Sequence, residues 1–321
     1  MARYLGFDVG ATNTRAAVAD GDGAVLGRED RPTPTEGDGA AIADAVRAAG
    51  VDACRDAGVD PADIERAAVA TVAEIDRDRG GVVDPANFPE DVDFVPLAGA
   101  LSDLADEVLL LNDAAAGALG EREGRRGANS STADAAPDDL VYLSMSTGIG
   151  AGVISDGRLL EGHRGNAAEV GHLTLDPEGR MPCGCGGDGH WEAYCSGDNL
   201  PDYARFLAEA EGIDTDLALD EADAADVFAG VGDDPLADRL VERLADWNAQ
   251  GVAAVVHAYD PEVVAVGGAV ALENPERVVE PVRERLADRL HLGSVPEFRL
   301  TSVGADVVLR GAIHRAIEGP P

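Results

Sequence analysis

The chain of 321 residues contains no lysine, so each of its basic side chains is an arginine. Lys+Arg totals 25 against 61 Asp+Glu, a formal net charge of −36. A single-sign field of that size repels phosphodiester backbones and anionic headgroups, which argues against nucleic acid and the membrane surface as partners. Aromatic residues make up only 4%. Scarce aromatics, abundant acid and no lysine together are the composition of a protein adapted to molar salt. Salt at that level screens self-repulsion within a few Å, so low salt is expected to destabilise the fold. Four cysteines are too few for a disulfide scaffold in a chain this long. No run reaches the roughly 18–20 apolar residues that a membrane-spanning helix needs. The first six residues lack the basic-then-apolar design of a signal peptide. A cytoplasmic location is the expectation.

What is present is a hydrophobic content of 45%, enough for an ordinary globule with two modest cores. Apolar runs at 4–8, 15–20, 24–28, 67–72, 107–111, 140–145, 151–155 and 262–266 predict strands. Asp20-Gly21-Asp22-Gly23 is a hairpin turn signal. Helical spacing of Ile42, Val46 and Ala53 predicts a helix over 38–57. Leu97, Leu101 and Leu104 predict another, and Leu236, Leu240, Leu244 and Trp247 a long one over 234–258. Helices are also expected over 114–119 and 306–317. Residues 124–138 hold almost no large apolar side chain and read as an exposed loop without a functional reading. There is no repeat of the solenoid type. Alternating strands and helices imply the α/β class, in which ligands gather beyond the carboxyl ends of strands.

Five segments carry chemistry. Asp8-Val9-Gly10-Ala11-Thr12-Asn13-Thr14-Arg15 follows a strand. Gly10 lets backbone approach a phosphate, Thr12 and Asn13 offer polar contacts, and Asp8 can reach an accompanying Mg²⁺. An ordinary tight turn fits equally well. Ser146-Thr147-Gly148-Ile149-Gly150 is a second turn of this kind. A pair, one in each half of the chain, suits the two arms of a nucleotide clamp. Asn112-Asp113 ends an apolar strand, where the plain reading is that Asp113 caps the next helix. His172, Cys183, Cys185 and His190 form a close set of thiols and imidazoles suited to tetrahedral Zn²⁺. A Cys183–Cys185 disulfide would close a very tight ring. A closed four-ligand site is structural and would pin the loop bearing Glu169 and Glu192. Gly267-Gly268 after a strand lets backbone pass close to a flat ligand such as an adenosine, or simply makes a strand-to-helix turn.

In this order the segments resemble the ROK family of sugar kinases, over most of the chain. Asp8 to Thr12 is similar to the family's Asp-x-Gly-x-Thr phosphate motif, and Asn112-Asp113-Ala114 to its catalytic segment. Ser146 to Gly152 is similar to its second glycine-rich loop. Ala168-Glu169-Val170-Gly171-His172 with the Cys-x-Cys-Gly run is similar to its sugar and zinc signature. His190 stands where the family usually has a third zinc cysteine, and Ala11 where it has glycine. Val72–Asp76 and Asn87–Asp91 depart from its Pro-Gly-Pro and Asn-Leu-Pro-Gly-Trp segments, so the departures bear on which sugar is taken.

The resemblance implies a two-domain actin-like (ribonuclease H-like) ATPase fold. Its smaller domain would be 1–113 completed by 305–321, and its larger domain 114–304. It implies ATP-dependent phosphorylation of a hexose, foremost glucose at the 6-hydroxyl, with Asp113 as general base and Mg²⁺ near Asp8. Asn87, Asn112, Glu169, His172 and Glu192 would hydrogen-bond the sugar, with one ring nitrogen of His172 on Zn²⁺ and the other on the sugar. Thr147, Gly148, Gly267 and Gly268 would join Asp8, Gly10, Thr12 and Asn13 at the nucleotide. A homodimer or homotetramer is implied as well. N-acetylmannosamine, fructose or another hexose is the alternative substrate. A sugar-responsive regulator of the same family is the alternative class, disfavoured by the early position of Asp8 and by the charge.

Overall fold

A computed structural model of the chain describes residues 2–83, 92–128 and 136–320. They group into two units, Met1–Ala136 with Leu159–Ala167 and Asp306–Pro321, and Pro137–Arg158 with Ala168–Ala305. Each has a five-stranded sheet, which gives the α/β class expected from the alternation of elements.

In the first unit the strands are β1 (Arg3–Val9), β2 (Asn13–Asp20), β3 (Val25–Pro32), β4 (Ile64–Thr71), β5 (Glu74–Asp76), β6 (Gly81–Val83), β7 (Phe94–Val95) and β8 (Glu107–Asn112). The main sheet runs β3-β2-β1-β4-β8, and β5-β6-β7 form a small sheet of their own. β1, β2 and β3 are antiparallel neighbours, whereas β1, β4 and β8 are parallel. Leu5, Phe7 and Val9 share a core with Ile42, Val46 and Ala53 of the helix Gly39–Ala57. Asp38 starts that helix by accepting a hydrogen bond from the Ala41 N–H, and left-handed Gly58 ends it.

The other face of the sheet is lined by small residues because the helix Val307–Glu318 lies directly on it. Ala17 and Ala19 pack against Leu309 and Ile313. A Cβ on Gly6 would stand 2.6 Å from Ile313 Cγ1. The same helix crosses the helix Asp113–Ala128 at backbone contact. A Cβ on Gly120 would lie 1.9 Å from the Val307 carbonyl oxygen, and one on Gly311 1.7 Å from that of Ala116. This crossing is why the helix after Asp113 falls in the first unit, where a boundary at residue 113 was expected. The helix also runs on through Ala128, past the point where a loop was expected to begin.

The second unit repeats the topology. Its strands are β9 (Leu140–Met145), β10 (Ile149–Ser155), β11 (Arg158–Leu159), β12 (Val263–Gly267) and β13 (Glu297–Leu300), in the order β11-β10-β9-β12-β13. A hairpin pairs β9 with β10, and β9, β12 and β13 are parallel. The duplication is one of topology and leaves no legible repeat in the sequence. The 25-residue helix Pro235–Tyr259 buries Leu236, Leu240 and Leu244, with Asp234 accepting from the Leu236 and Ala237 N–H groups at its start. Among the described residues no helix is long and apolar enough to cross a membrane.

Candidate active site

The turn between β1 and β2 is held from below. Gly10 N–H donates to the Asn13 carbonyl at 2.9 Å, and Thr33 N–H to that of Thr12 at 2.9 Å. The Thr33 hydroxyl lies 2.9 Å from the Thr14 hydroxyl and donates to the Gly10 carbonyl at 2.7 Å. Thr12 and Asn13 are therefore exposed on a fixed backbone. A Cβ on Gly10 would meet only the Asn13 carbonyl oxygen, at an ordinary 3.5 Å. The protein's own packing does not demand glycine there, so the open space is available to a ligand. Thr33 lies outside the motif, and no local sequence signal points to it.

Asp8 leaves β1 half-buried, with Arg15 Nη1 at 3.5 Å from Oδ2. Burial raises its carboxyl to about 7 against the pull of Arg15, and the charges of Asp113, Asp30 and Asp306 push the same way. Arg28 pairs with Asp30 at 2.8 Å and with Asp306 at 2.9 Å, so four carboxylates here face two guanidinium groups. This gathering of hard oxygen donors fits Mg²⁺.

Asn112 and Asp113 stand where β8 ends. Parallel pairing sets Asp8 beside Ala70 and Asn112 beside Thr71, so Asp8 and Asp113 leave the same carboxyl edge of one sheet. The helix cap is chiefly Asn112, whose Oδ1 accepts from the Ala114 N–H at 2.9 Å and the Ala115 N–H at 3.2 Å. Asp113 Oδ1 accepts from Ala114 N–H at 2.7 Å, which fixes the carboxylate's rotation. The capping role read for Asp113 is thus largely its neighbour's.

In the second unit, the turn between β9 and β10 matches the first in position. Ser146 N–H donates to the Gly148 carbonyl at 2.9 Å, and Gly197 N–H to the Ser146 carbonyl at 2.8 Å. Thr147 is exposed at its tip. Glu192 Oε2 accepts from the Ile149 N–H at 2.8 Å, and a Cβ on Gly148 would stand 2.7 Å from that oxygen. Gly267 and Gly268 close β12 against β9. Their Cβ atoms would lie 2.3 Å from the Tyr142 hydroxyl and from the Met145 carbonyl oxygen respectively. Internal packing alone accounts for both glycines.

His172, Cys183, Cys185 and His190 each offer a donor atom, all within 4.8 Å of one another. His172 Nδ1 lies 3.7 Å from Cys183 Sγ, and His190 Nδ1 lies 3.2 Å from Cys185 Sγ. A tetrahedral zinc site separates its sulfur and nitrogen donors by about 3.6 Å. Two thiols and two imidazoles at this spacing fit Zn²⁺. Burial pushes the Cys183 thiol up to about 11, so the thiolate needs a cation beside it. A Cβ on Gly187 would sit 2.4 Å from His190 Cε1, so a larger residue there would push the imidazole away from the cluster. Trp191, fully buried, donates from Nε1 to Asn248 Oδ1 at 2.8 Å and so ties the loop to the long helix. Glu169 is exposed just before the short turn Val170–His172. Asn87, with the Asn87–Asp91 segment, lies outside the described residues.

Residues 4–317 match the ROK family. A glucokinase from Aeropyrum pernix is 36% identical over 335 aligned residues, covering 100% of this chain and 98% of that one. The crystal structure of a ROK hexokinase from Thermus thermophilus aligns with a TM-score of 0.79 and 36% identity, over 98% of this chain and 97% of that one. A ROK family glucokinase from Streptomyces griseus, in complex with glucose and AMPPNP, aligns with a TM-score of 0.75 and 30% identity, over 99% and 100% of the two chains.

Proposed function

The chain belongs to the ROK family, and from that premise we propose that it is a glucokinase, transferring the γ-phosphoryl group of ATP to the 6-hydroxyl of glucose. The observation that carries the chemistry is the pair of carboxylates, Asp8 and Asp113, at one sheet edge. Asp113 is the general base. It takes the hydroxyl proton as the oxygen attacks phosphorus, and its rotation is already set by the Ala114 N–H. Asp8 would hold Mg²⁺, which supplies charge neutralisation on the phosphates. The remainder is positioning and electrostatics, as phosphoryl transfer requires.

In the first unit Gly10, Thr12 and Asn13 bind phosphate oxygens. In the second, Thr147 and Gly148 do so, and Gly267 and Gly268 flank the adenosine. The sugar is taken by Asn87, Asn112, Glu169, His172 and Glu192. With Asn112 Oδ1 occupied by the helix start, its Nδ2 is the group that donates to a sugar oxygen. With His172 Nδ1 on the thiol side, its Nε2 is the nitrogen left for the sugar. His172, Cys183, Cys185 and His190 would hold a structural Zn²⁺ that fixes the loop bearing Glu169 and Glu192. The product, glucose 6-phosphate, feeds glycolysis, and the enzyme works in molar salt.

The test is ADP release from Mg-ATP in molar KCl with glucose, fructose, mannose, N-acetylmannosamine or no sugar. Release with glucose above all others supports the reading. Release with a different sugar alone would overturn the substrate, and no sugar-dependent release would overturn the kinase and favour a sugar sensor.

A further inference from the structure

Glu192 belongs by sequence to the cysteine and histidine loop, 43 residues along the chain from the turn it touches. One oxygen, Oε1, lies 4.0 Å from Cys183 Sγ, and the other, Oε2, accepts from the Ile149 N–H at 2.8 Å. Its rotation is constrained from both sides. On the loop side, neighbouring Trp191 is fully buried and anchored to Asn248. On the turn side the carboxylate occupies the space that a side chain at 148 would enter, since a Cβ would stand 2.7 Å from Oε2 and displace it. Beyond Glu192, the Gly197 N–H donates to the Ser146 carbonyl at 2.8 Å and the Asp198 N–H to that of Thr147 at 3.3 Å. The segment 192–198 therefore cradles the turn, and Glu192 adds a carboxylate on one of the turn's backbone N–H groups.

We propose that Glu192 is a positioning residue for the phosphate turn Ser146–Ile149, setting nucleotide affinity through the Ile149 N–H independently of any contact with sugar. This rests on the assignment of that turn to nucleotide under the proposed kinase function. The physical reason is pre-organisation: a turn held by a charge-assisted hydrogen bond does not have to be ordered when phosphate arrives. A role confined to sugar hydroxyls would leave nucleotide affinity unchanged when no sugar is present.

The experiment is calorimetric titration of Mg-AMPPNP, without sugar, into the full-length protein in molar KCl. Wild type, Glu192→Ala, Glu192→Gln, Gly148→Ala and the Gly148→Ala/Glu192→Ala double variant are compared, each checked for cooperative unfolding. Loss of a charged acceptor should weaken binding about tenfold in Glu192→Ala (about 1.4 kcal/mol). Glutamine keeps an acceptor oxygen and should restore most of that loss. Gly148→Ala should weaken binding in the wild-type background and cost much less once the carboxylate is gone. Equal affinities for wild type and Glu192→Ala would overturn the inference. So would strictly additive losses in the double variant, a comparison that stands even where Glu192→Ala is less stable. Failure of the wild-type protein itself to bind Mg-AMPPNP would instead overturn the kinase reading on which the inference rests.

Discussion

Replacing Asp8 by asparagine should stabilise the ligand-free protein at alkaline pH while removing its response to Mg-nucleotide. The Asp8 carboxyl is raised from its ordinary 3.8 to about 7, first by burial and then by neighbouring carboxylates. Three pH units at about 1.4 kcal/mol each put the cost of ionising it in the fold on the order of 4 kcal/mol. The unfolded chain gives up this proton near its ordinary value, and the folded chain keeps it until about pH 7. Stability therefore falls as pH rises through that window, and the loss is complete above it. Asparagine has the same shape and no proton to lose. Between pH 5 and pH 8 the stability difference should move in the variant's favour by about 2.5–3 kcal/mol. Groups that do not interact with Asp8 titrate too, such as Asp103, held low by its hydrogen bonds from Arg47, but they are common to both proteins and cancel. The assay is denaturant unfolding of both proteins in molar KCl without divalent cations, at pH 5 and pH 8, then at pH 8 with Mg-AMPPNP. Nucleotide should stabilise wild type and leave the variant nearly unchanged. Parallel pH dependence in the two proteins would refute the argument that Asp8 is an ionisation-strained cation ligand.

Cys183→Ser should lower zinc bound after purification from one equivalent towards zero, read by elemental analysis, and weaken glucose binding; an unchanged zinc content would remove the metal from the account. Gly311→Ala should destabilise by about 3 kcal/mol or more, since its Cβ would lie 1.7 Å from the Ala116 carbonyl oxygen; a denaturation midpoint equal to wild type would contradict the close helix crossing. Transfer from molar to 0.1 M KCl should lower the thermal midpoint of a chain with a net charge of −36; a midpoint that stays or rises would contradict the salt-adapted reading of the composition.

Much of the candidate site was legible in the sequence because its chemistry sits in contiguous runs at strand ends. Asp8 to Thr14, Asn112-Asp113, Ser146 to Gly150 and the Cys/His loop each announce a turn and a donor set within a few residues. The structure bears out the strand before each of the first three runs and brings His172, Cys183, Cys185 and His190 together. What stayed hidden depends on partners far along the chain. Thr33 fixes the first turn from β3, and Glu192 reaches Ile149 from another loop. Neither has a local signature, since a threonine in a strand and a glutamate after a tryptophan are unremarkable alone. The helix through Ala128 was missed for a related reason. Gly120, Gly124 and Gly127 argue against helix locally, but Gly120 is what lets the C-terminal helix approach to backbone contact. Once that pairing nucleates the helix, extending it by a few residues costs little. The topological duplication was invisible because a sheet order is set by burial pattern and connection geometry, which many unrelated sequences satisfy.

The central claim is most directly tested by following phosphorus. Wild type and Asp113→Asn are each incubated with Mg-ATP and glucose in molar KCl, and glucose 6-phosphate is quantified by ³¹P NMR. Wild type should convert glucose stoichiometrically with ADP. Asp113→Asn, which keeps the side-chain oxygen that meets the Ala114 N–H, should remain folded, bind glucose and turn over at least about a hundredfold more slowly. Comparable turnover in the two proteins, or no glucose 6-phosphate from folded wild type, would contradict the account.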